Sequence, residues 1–423
     1  MRDGERSGRR MYIVEAALEY FVAILVGGAY LARITGALGF SDSLTGVLSS
    51  FVSMGCLFQL ASIALFRNTR SVKRPVILLD VLNQALFAGA YLTPLLPVSA
   101  PLRTAAFLLC FCGGHVLLNV GAPQKTEWLM GLVDDRQRGA FTARKEIVSL
   151  LGGMVFTYSM GRLIDGLQRG GQQDETFLMC AAVILALMVA QMLCMTRVRE
   201  RRTDGEARRV SLSGALSVLK DRSLQKIVLV CVLWRVASGC ATPFYGAYQI
   251  GELGFSMTFV ATLSIGYSVL RALVSPVLGR YADRHSFSRM VYLCFWTAAA
   301  GFFINCFTVP ENGRVFYAGY LACEAVSMAG INSSITNLIF DYVRGENRRS
   351  ALAINAALGG LAGFLATCAM SPAAAWIQKN GNRLGELRLY PAQFVSAVAL
   401  TVTLGLIVYV RLVVIGRKKK EEV

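Results

Sequence analysis

Polar and charged residues in this chain come in short clusters. Between the clusters lie runs of about twenty or more almost wholly apolar residues. A helix rises 1.5 Å per residue, so about 20 such residues cross about 30 Å of hydrocarbon. Twelve segments meet that requirement: 11–35, 43–66, 75–96, 102–124, 145–166, 176–196, 227–249, 254–278, 290–309, 315–340, 350–377 and 392–415. The pattern predicts an all-α integral membrane protein with twelve transmembrane helices. The charged start MRDGERSGRR resembles the head of a signal peptide, but 11–35 is too long for its apolar core and no small-residue cleavage site follows. That segment is read as the first span.

Composition agrees with the pattern. Of 423 residues, 55% are hydrophobic and 16% charged, against about 25% charged in an ordinary soluble domain. The mean hydropathy is +0.51. In water such a chain would expose large apolar patches. The eleven cysteines all lie within apolar runs and no connecting loop holds a pair, so they read as packing residues rather than disulfides. The two histidines, His115 and His285, and the cysteines form no cluster with metal spacing. There is no GxxxxGK[ST] phosphate loop. The expectation is therefore a protein that is not an enzyme, uses no cofactor, and draws on a proton or other ion gradient.

The net charge of +17 raises the question of nucleic acid, and the placement of the charge answers it. Of 43 lysines and arginines, 32 fall in loops and tails on one side of the predicted spans, 6 on the other and 5 inside. Positive residues stay cytoplasmic. The split places both termini in the cytoplasm, in a multi-pass protein of the plasma (inner) membrane. Its basic face meets anionic lipid of the bilayer rather than nucleic acid.

The longest polar stretch, 197–226, falls near the middle. It divides the chain into an N-terminal six-helix half (1–196), a cytoplasmic linker (197–226) and a C-terminal six-helix half with a basic tail (227–423). From Ser211 the linker reads either as an interfacial helix carrying Leu212, Leu216 and Leu219 or as plain connection. The halves repeat. GALGFSDSLTGVLS at 36–49 and GELGFSMTFVATLS at 251–264 match at seven of fourteen positions, at an offset of 215, in corresponding loops. Parallel six-helix repeats about a central linker are a transporter plan.

One polar turn stands out between the eighth and ninth spans: GRYADRHSFSR, 279–289. Gly279, Asp283 and Arg289 fall opposite Ala64, Asn68 and Arg74 in the first half. The order Gly, Asp four residues on, then basic residues resembles the signature loop of the major facilitator superfamily. The segment WLMGLVDDRQRGAFTAR, 128–144, resembles a second loop of bacterial members. The resemblance implies two six-helix pseudo-symmetric halves that transport a small-molecule solute by alternating access, acting as a monomer. It also implies a gating clasp of Gly279, Arg280, Asp283 and Arg284 with Arg138 and Arg144. In this reading Gly279 lets the helix end and the backbone approach a neighbour, and Asp283 meets a helix N-terminus or an arginine.

Ionisable residues inside spans are expensive, about 2.5–3.5 kcal/mol on insertion scales, and are functional candidates by default. Arg33, Arg162, Asp165, Arg271 and Arg411 lie near span ends and can snorkel. Glu15 and Asp80 lie slightly further in. Close to mid-depth are Glu19, His115, Arg235 and Glu324, on the first, fourth, seventh and tenth spans. By the resemblance these four line the central cavity. Asn119, Tyr245, Asn332, Trp234 and Tyr30 are nearby polar or aromatic candidates. Glu19 and Arg235 are open to two uses, a structural pair across the halves or work on substrate or proton. His115 divides between the cavity and packing. A carboxyl in a low-dielectric site is suited to load and release a proton, which favours Glu324. The expected function is proton-coupled secondary transport of a polar or anionic solute. Efflux of drug-like compounds, and a non-transporting sensor or scaffold on the same fold, remain open alternatives.

Overall fold

The computed structural model describes residues 3–66, 69, 71–130, 132–133, 138–198, 200, 222–342, 348–384 and 387–415. The possible interfacial helix from Ser211 lies outside the described residues. The described chain is helical apart from short connections and one pair of two-residue strands. The helices are α1 (Asp3–Leu25), α2 (Gly28–Ala37), α3 (Asp42–Leu65), α4 (Lys73–Leu92), α5 (Ala100–Met130), α6 (Arg138–Arg169), α7 (Gln173–Arg197), α8 (Arg222–Ala247), α9 (Met257–His285), α10 (Phe287–Asn305), α11 (Gly313–Tyr342), α12 (Arg348–Lys379) and α13 (Pro391–Tyr409). The antiparallel strands β1 (Arg383–Leu384) and β2 (Leu387–Arg388) join α12 to α13.

Every sequence-predicted span coincides with a helix, and the first is broken into α1 and α2, bent by 43°. The Tyr91 hydroxyl donates to the Leu25 carbonyl at 2.5 Å and so satisfies one acceptor freed at that break. Among the described residues, nine helices are long and apolar enough to cross a membrane, or ten with the bent pair as one span. The helices overrun the apolar segments. The fourth span, expected over 102–124, continues as α5 to Met130, which carries Lys125 into the helix.

The chain forms two compact units. The first comprises Met1–Ser41, Gly55–Glu206 and Phe255–Thr262, and the second Asp42–Met54, Ala207–Gly254 and Leu263–Val423. In the first, α1 packs on α6 and α7, and α4 on α5 and α7. In the second, α8 packs on α12 and α13, and α10 on α11 and α13. Counted by span, these are the same pairings, so the repeat read in the sequence is a repeat of packing. Its matched loops share a backbone device as well. Gly39 and Gly254, 215 residues apart, both adopt positive φ, +75° and +61°. A side chain there would be strained, which is why both copies keep glycine at the helix end.

In the first unit, the first three amides of α9 are satisfied by side chains. The Asp165 carboxylate accepts from Met257 N at 3.0 Å and Thr258 N at 2.8 Å. The Ser256 hydroxyl accepts from Phe259 N, and its carbonyl from Val260 N. Asp165 was expected to snorkel to water. It is instead buried, 8% exposed, because a helix N-terminus offers it better partners than water at that point. The ten cysteines described are free thiols.

Candidate functional site

Two groups of polar side chains sit inside the units. In the second unit, a cavity of about 150 Å³ is lined by Trp234, Arg235, Ser238 and Thr242 of α8, Phe302 of α10, and Tyr320, Glu324 and Ser327 of α11, among others. Helix α8 reaches this position because it runs close against α12. The Gly239 Cα faces Gly363, where an added Cβ would lie 2.8 Å from the Gly363 Cα. The Thr367 hydroxyl closes the crossing by donating to the Gly239 carbonyl at 2.6 Å. Small residues at such a crossing let two backbones approach. One turn along α8, the stem of Arg235 lies over Gly359 and Gly363, and an added Cβ on Gly359 would come 3.1 Å from Arg235 Cγ. The glycine track thus leaves room for the arginine to turn into the cavity.

Arg235 and Glu324 share this cavity, and no ion pair joins them to each other among the described residues. Tyr320 stands one turn before Glu324 on α11 and lines the same cavity. Behind the wall stands Tyr245. Its ring lies 5.0 Å from that of Tyr320 and its hydroxyl bonds the Ser396 hydroxyl at 2.7 Å, which also accepts from Asn305 at 3.1 Å. Tyr245 therefore supports the cavity wall rather than lining it. The cavity combines a cation, a carboxyl group, aromatic faces and hydroxyls, a set that holds a polar solute with an apolar part.

The first unit holds a charge cluster. The Lys125 ammonium of α5 contacts three carboxylates: Glu15 Oε1 at 2.5 Å, Asp80 Oδ2 at 2.8 Å and Glu19 Oε2 at 3.1 Å. The side chains of Lys125, Glu15 and Asp80 are 7%, 1% and 6% exposed, and that of Glu19 36%. From α7, Gln191 donates to Glu15 Oε1 at 2.9 Å and accepts from Gln84 of α4. Sequence reasoning missed Lys125 by ending the span at residue 124, and so counted it as a loop cation. The available signal was electrostatic: three acids within two spans need a cation at the same depth, and Lys125 is in reach.

One helical turn away, toward the first residues of α1 and α4, Tyr12, Val76, Trp128, Leu129 and Met195 form a buried apolar cluster. Beyond it Glu200 clamps the start of α4. Its carboxylate accepts from the Ser71 hydroxyl at 2.6 Å, Val72 N at 2.5 Å and Lys73 N at 3.3 Å. Lys73 Nζ donates to the carbonyls of Thr196 and Val198, both at 2.7 Å. Partial burial pushes the Glu200 carboxyl up, but these hydrogen bonds and the Lys73 charge outweigh it and hold the group below the usual carboxylate range.

The other candidates fall as follows. Glu19 meets Lys125 in its own unit. His115 is buried between the rings of Phe87 and Phe111, with centroids 4.9 and 4.7 Å away. Asn119 donates to the His115 carbonyl at 2.9 Å and accepts from Gln59 at 3.5 Å. The Tyr30 hydroxyl donates to the Thr157 carbonyl at 3.3 Å. The side chain of Asn332 lies outside the described residues.

The GRYADRHSFSR segment is not a loop. Gly279 to His285 complete α9, Ser286 alone breaks the helix and caps α10 by accepting from Arg289 N, and Phe287 starts α10. Gly279 neither ends a helix nor meets a neighbour, since an added Cβ would find nothing within 4 Å. Arg280 Nε donates to the Pro276 carbonyl at 3.3 Å, and Arg284 and Arg144 are exposed. The side chains of Asp283 and Arg138 lie outside the described residues, and with them the expected clasp.

A duplicated membrane bundle with charged side chains set deep in each half is the build of a membrane transporter. The chain belongs to the Major Facilitator Superfamily, whose family model matches residues 12–367. Among solved structures it resembles a mutant form of the nucleoside transporter NupG, with a TM-score of 0.73 and 12% identity over 96% of this chain and 99% of that one. It also resembles a bacterial homologue of the iron transporter ferroportin in an inward-facing state, with a TM-score of 0.72 and 13% identity over 96% and 97%. A D-xylose-proton symporter has a TM-score of 0.71 and 14% identity over 95% and 96%. At these identities the likeness is one of fold. No curated protein matches the sequence.

Proposed function

We propose that the chain is a secondary active transporter that moves a small polar or anionic solute by alternating access, driven by a proton gradient. The observation that supports this reading most is the cavity where Arg235 and Glu324 face one space without pairing. Arg235 would hold an anionic or carbonyl group bidentately. The aromatic walls would take the apolar part, and Glu324 would load and release the proton. The D-xylose-proton symporter, and the E. coli fucose:proton symporter with a TM-score of 0.56, lend the coupling a precedent on this fold. The protein would sit in the plasma membrane as a monomer with both termini in the cytoplasm. Asp283 would act at the cytoplasmic ends as a clasp, so that Asp283→Asn shifts the balance of states without unfolding the protein.

The test is transport by protein reconstituted in liposomes, after a thermal-shift screen has found a solute that binds. Glu324→Gln should abolish proton-driven accumulation and spare counterflow exchange, and Arg235→Ala should remove the thermal shift. Accumulation unchanged in Glu324→Gln takes the proton away from that residue. A screen and flux assay silent for every solute favours the sensor or scaffold reading.

A further inference from the structure

We propose that the Lys125 cluster of the first unit is a binding site for one exchangeable monovalent cation, a proton or an alkali ion, separate from the Glu324 cavity. Its use as a coupling site rests on the transporter reading above; its existence does not.

The charges do not balance. Lys125 offers one positive charge to three carboxylates, Glu15, Asp80 and Glu19. Even with Glu19 left to water, the buried trio of Lys125, Glu15 and Asp80 carries one uncompensated negative charge. Buried charges that are not matched are strongly unfavourable, and among the described residues no second cation makes an ion pair with the cluster. From α1 the cluster meets Glu19 and Tyr12, from α4 Asp80, from α5 Lys125, and from α7 Gln191 and Cys194. From α6 comes Lys145, whose ammonium sits over the Tyr12 ring, 5.2 Å from its centroid. Tyr12 belongs to the buried apolar cluster, and among the described residues no ion pair joins Lys145 to Glu15, Glu19 or Asp80. The Arg9 guanidinium donates from Nε to the Leu132 carbonyl at 2.8 Å.

A second observation marks where the ion would sit. Glu15 Oε1 takes both the Lys125 and the Gln191 contacts. Glu15 Oε2 is buried and has no hydrogen-bond partner among the described residues, on a side chain only 1% exposed. The buried Gln84 Oε1, on the other amide of the Gln84–Gln191 chain, has none either. Unsatisfied buried oxygens are rare in folded proteins, and a bound water or ion commonly satisfies them. Both are acceptors, so they fit a proton or a small hard cation, not an anion. Glu19, partly exposed, gives the ion a route to water.

Infrared difference spectroscopy on the purified full chain tests this without any solute. Exchange between mildly acidic and mildly alkaline buffer should produce a protonated-carboxyl band in wild type that is lost in Glu15→Gln, which assigns the ion as a proton. A carboxylate change on replacing choline chloride by sodium chloride, again lost in Glu15→Gln, assigns an alkali ion. Asp80→Asn serves as the second variant if Glu15→Gln does not fold. Wild type silent in both exchanges, or bands that survive in the variants, overturns the proposal. A positive spectrum in a protein that moves no solute leaves the site standing and refutes transport. Active transport with silent spectra does the reverse.

Discussion

The crossing of α8 and α12 makes the sharpest prediction, because two glycines of the same chain should respond in opposite ways. At Gly239 an added Cβ would lie 2.8 Å from the Gly363 Cα and 2.9 Å from its carbonyl carbon. Those atoms are backbone, so relief requires the helices to separate by several tenths of an ångström. Overpacking of this kind typically destabilises by about 1–3 kcal/mol. In a unit of about 200 residues that corresponds to a fall in Tm of about 2–12 °C. Separation would also stretch the 2.6 Å bond from Thr367 to the Gly239 carbonyl and move Arg235, one turn away, relative to the cavity. Gly279→Ala is the control. It lies inside α9 with nothing within 4 Å of the added methyl, and removing a mid-helix glycine gains about 0.5–1 kcal/mol. Thermal unfolding of the purified protein, followed by tryptophan fluorescence, measures both, since Trp234 sits next to Arg235 on α8. Gly239→Ala as stable as wild type would refute the close-packed crossing. A larger loss in Gly279→Ala than in Gly239→Ala would restore the sequence-based view that Gly279 is the critical position.

Three further outcomes follow from the geometry. Asp165→Ala should destabilise by about 1–3 kcal/mol for each amide it orphans at the start of α9, and Asp165→Asn by less, because it keeps one acceptor; equal melting of the two would remove the capping role. Glu200→Gln should lower stability by about 1 kcal/mol near neutral pH, the partial exposure of the site limiting the effect. Because the folded carboxyl is held low, its contribution is present above the unfolded carboxylate range and is lost as pH falls through the folded value, so the two melting curves should converge on acidification; a gap that widens in acid would contradict the assignment. A reporter fused after residue 205 or at the C-terminus should report the cytoplasm and one inserted near Gly381 the outside; the reverse would overturn the orientation.

The linear order of apolar and polar residues was enough for the class of fold, because a membrane imposes a one-dimensional rule: about twenty apolar residues per crossing, with cations kept on one side. It was also enough for the duplication, since Gly39 and Gly254 stand in equivalent loops and are held there by a backbone demand that any sequence must meet locally. What the linear order left undecided were partners. Glu19 was open to a pair with Arg235 or to work on substrate or proton, and the structure gives it Lys125 as a partner. His115 read as half a cavity residue, and it lies between two phenylalanine rings. Gly279 read as a close-approach glycine by its motif, while the close approach occurs at Gly239 and Gly363. Hydropathy measures each residue against lipid and water and is blind to which helix faces which. A Coulomb contact or a backbone crossing depends on residues tens to hundreds of positions apart, and only packing α1, α4, α5 and α7, or α8 and α12, brings those residues together.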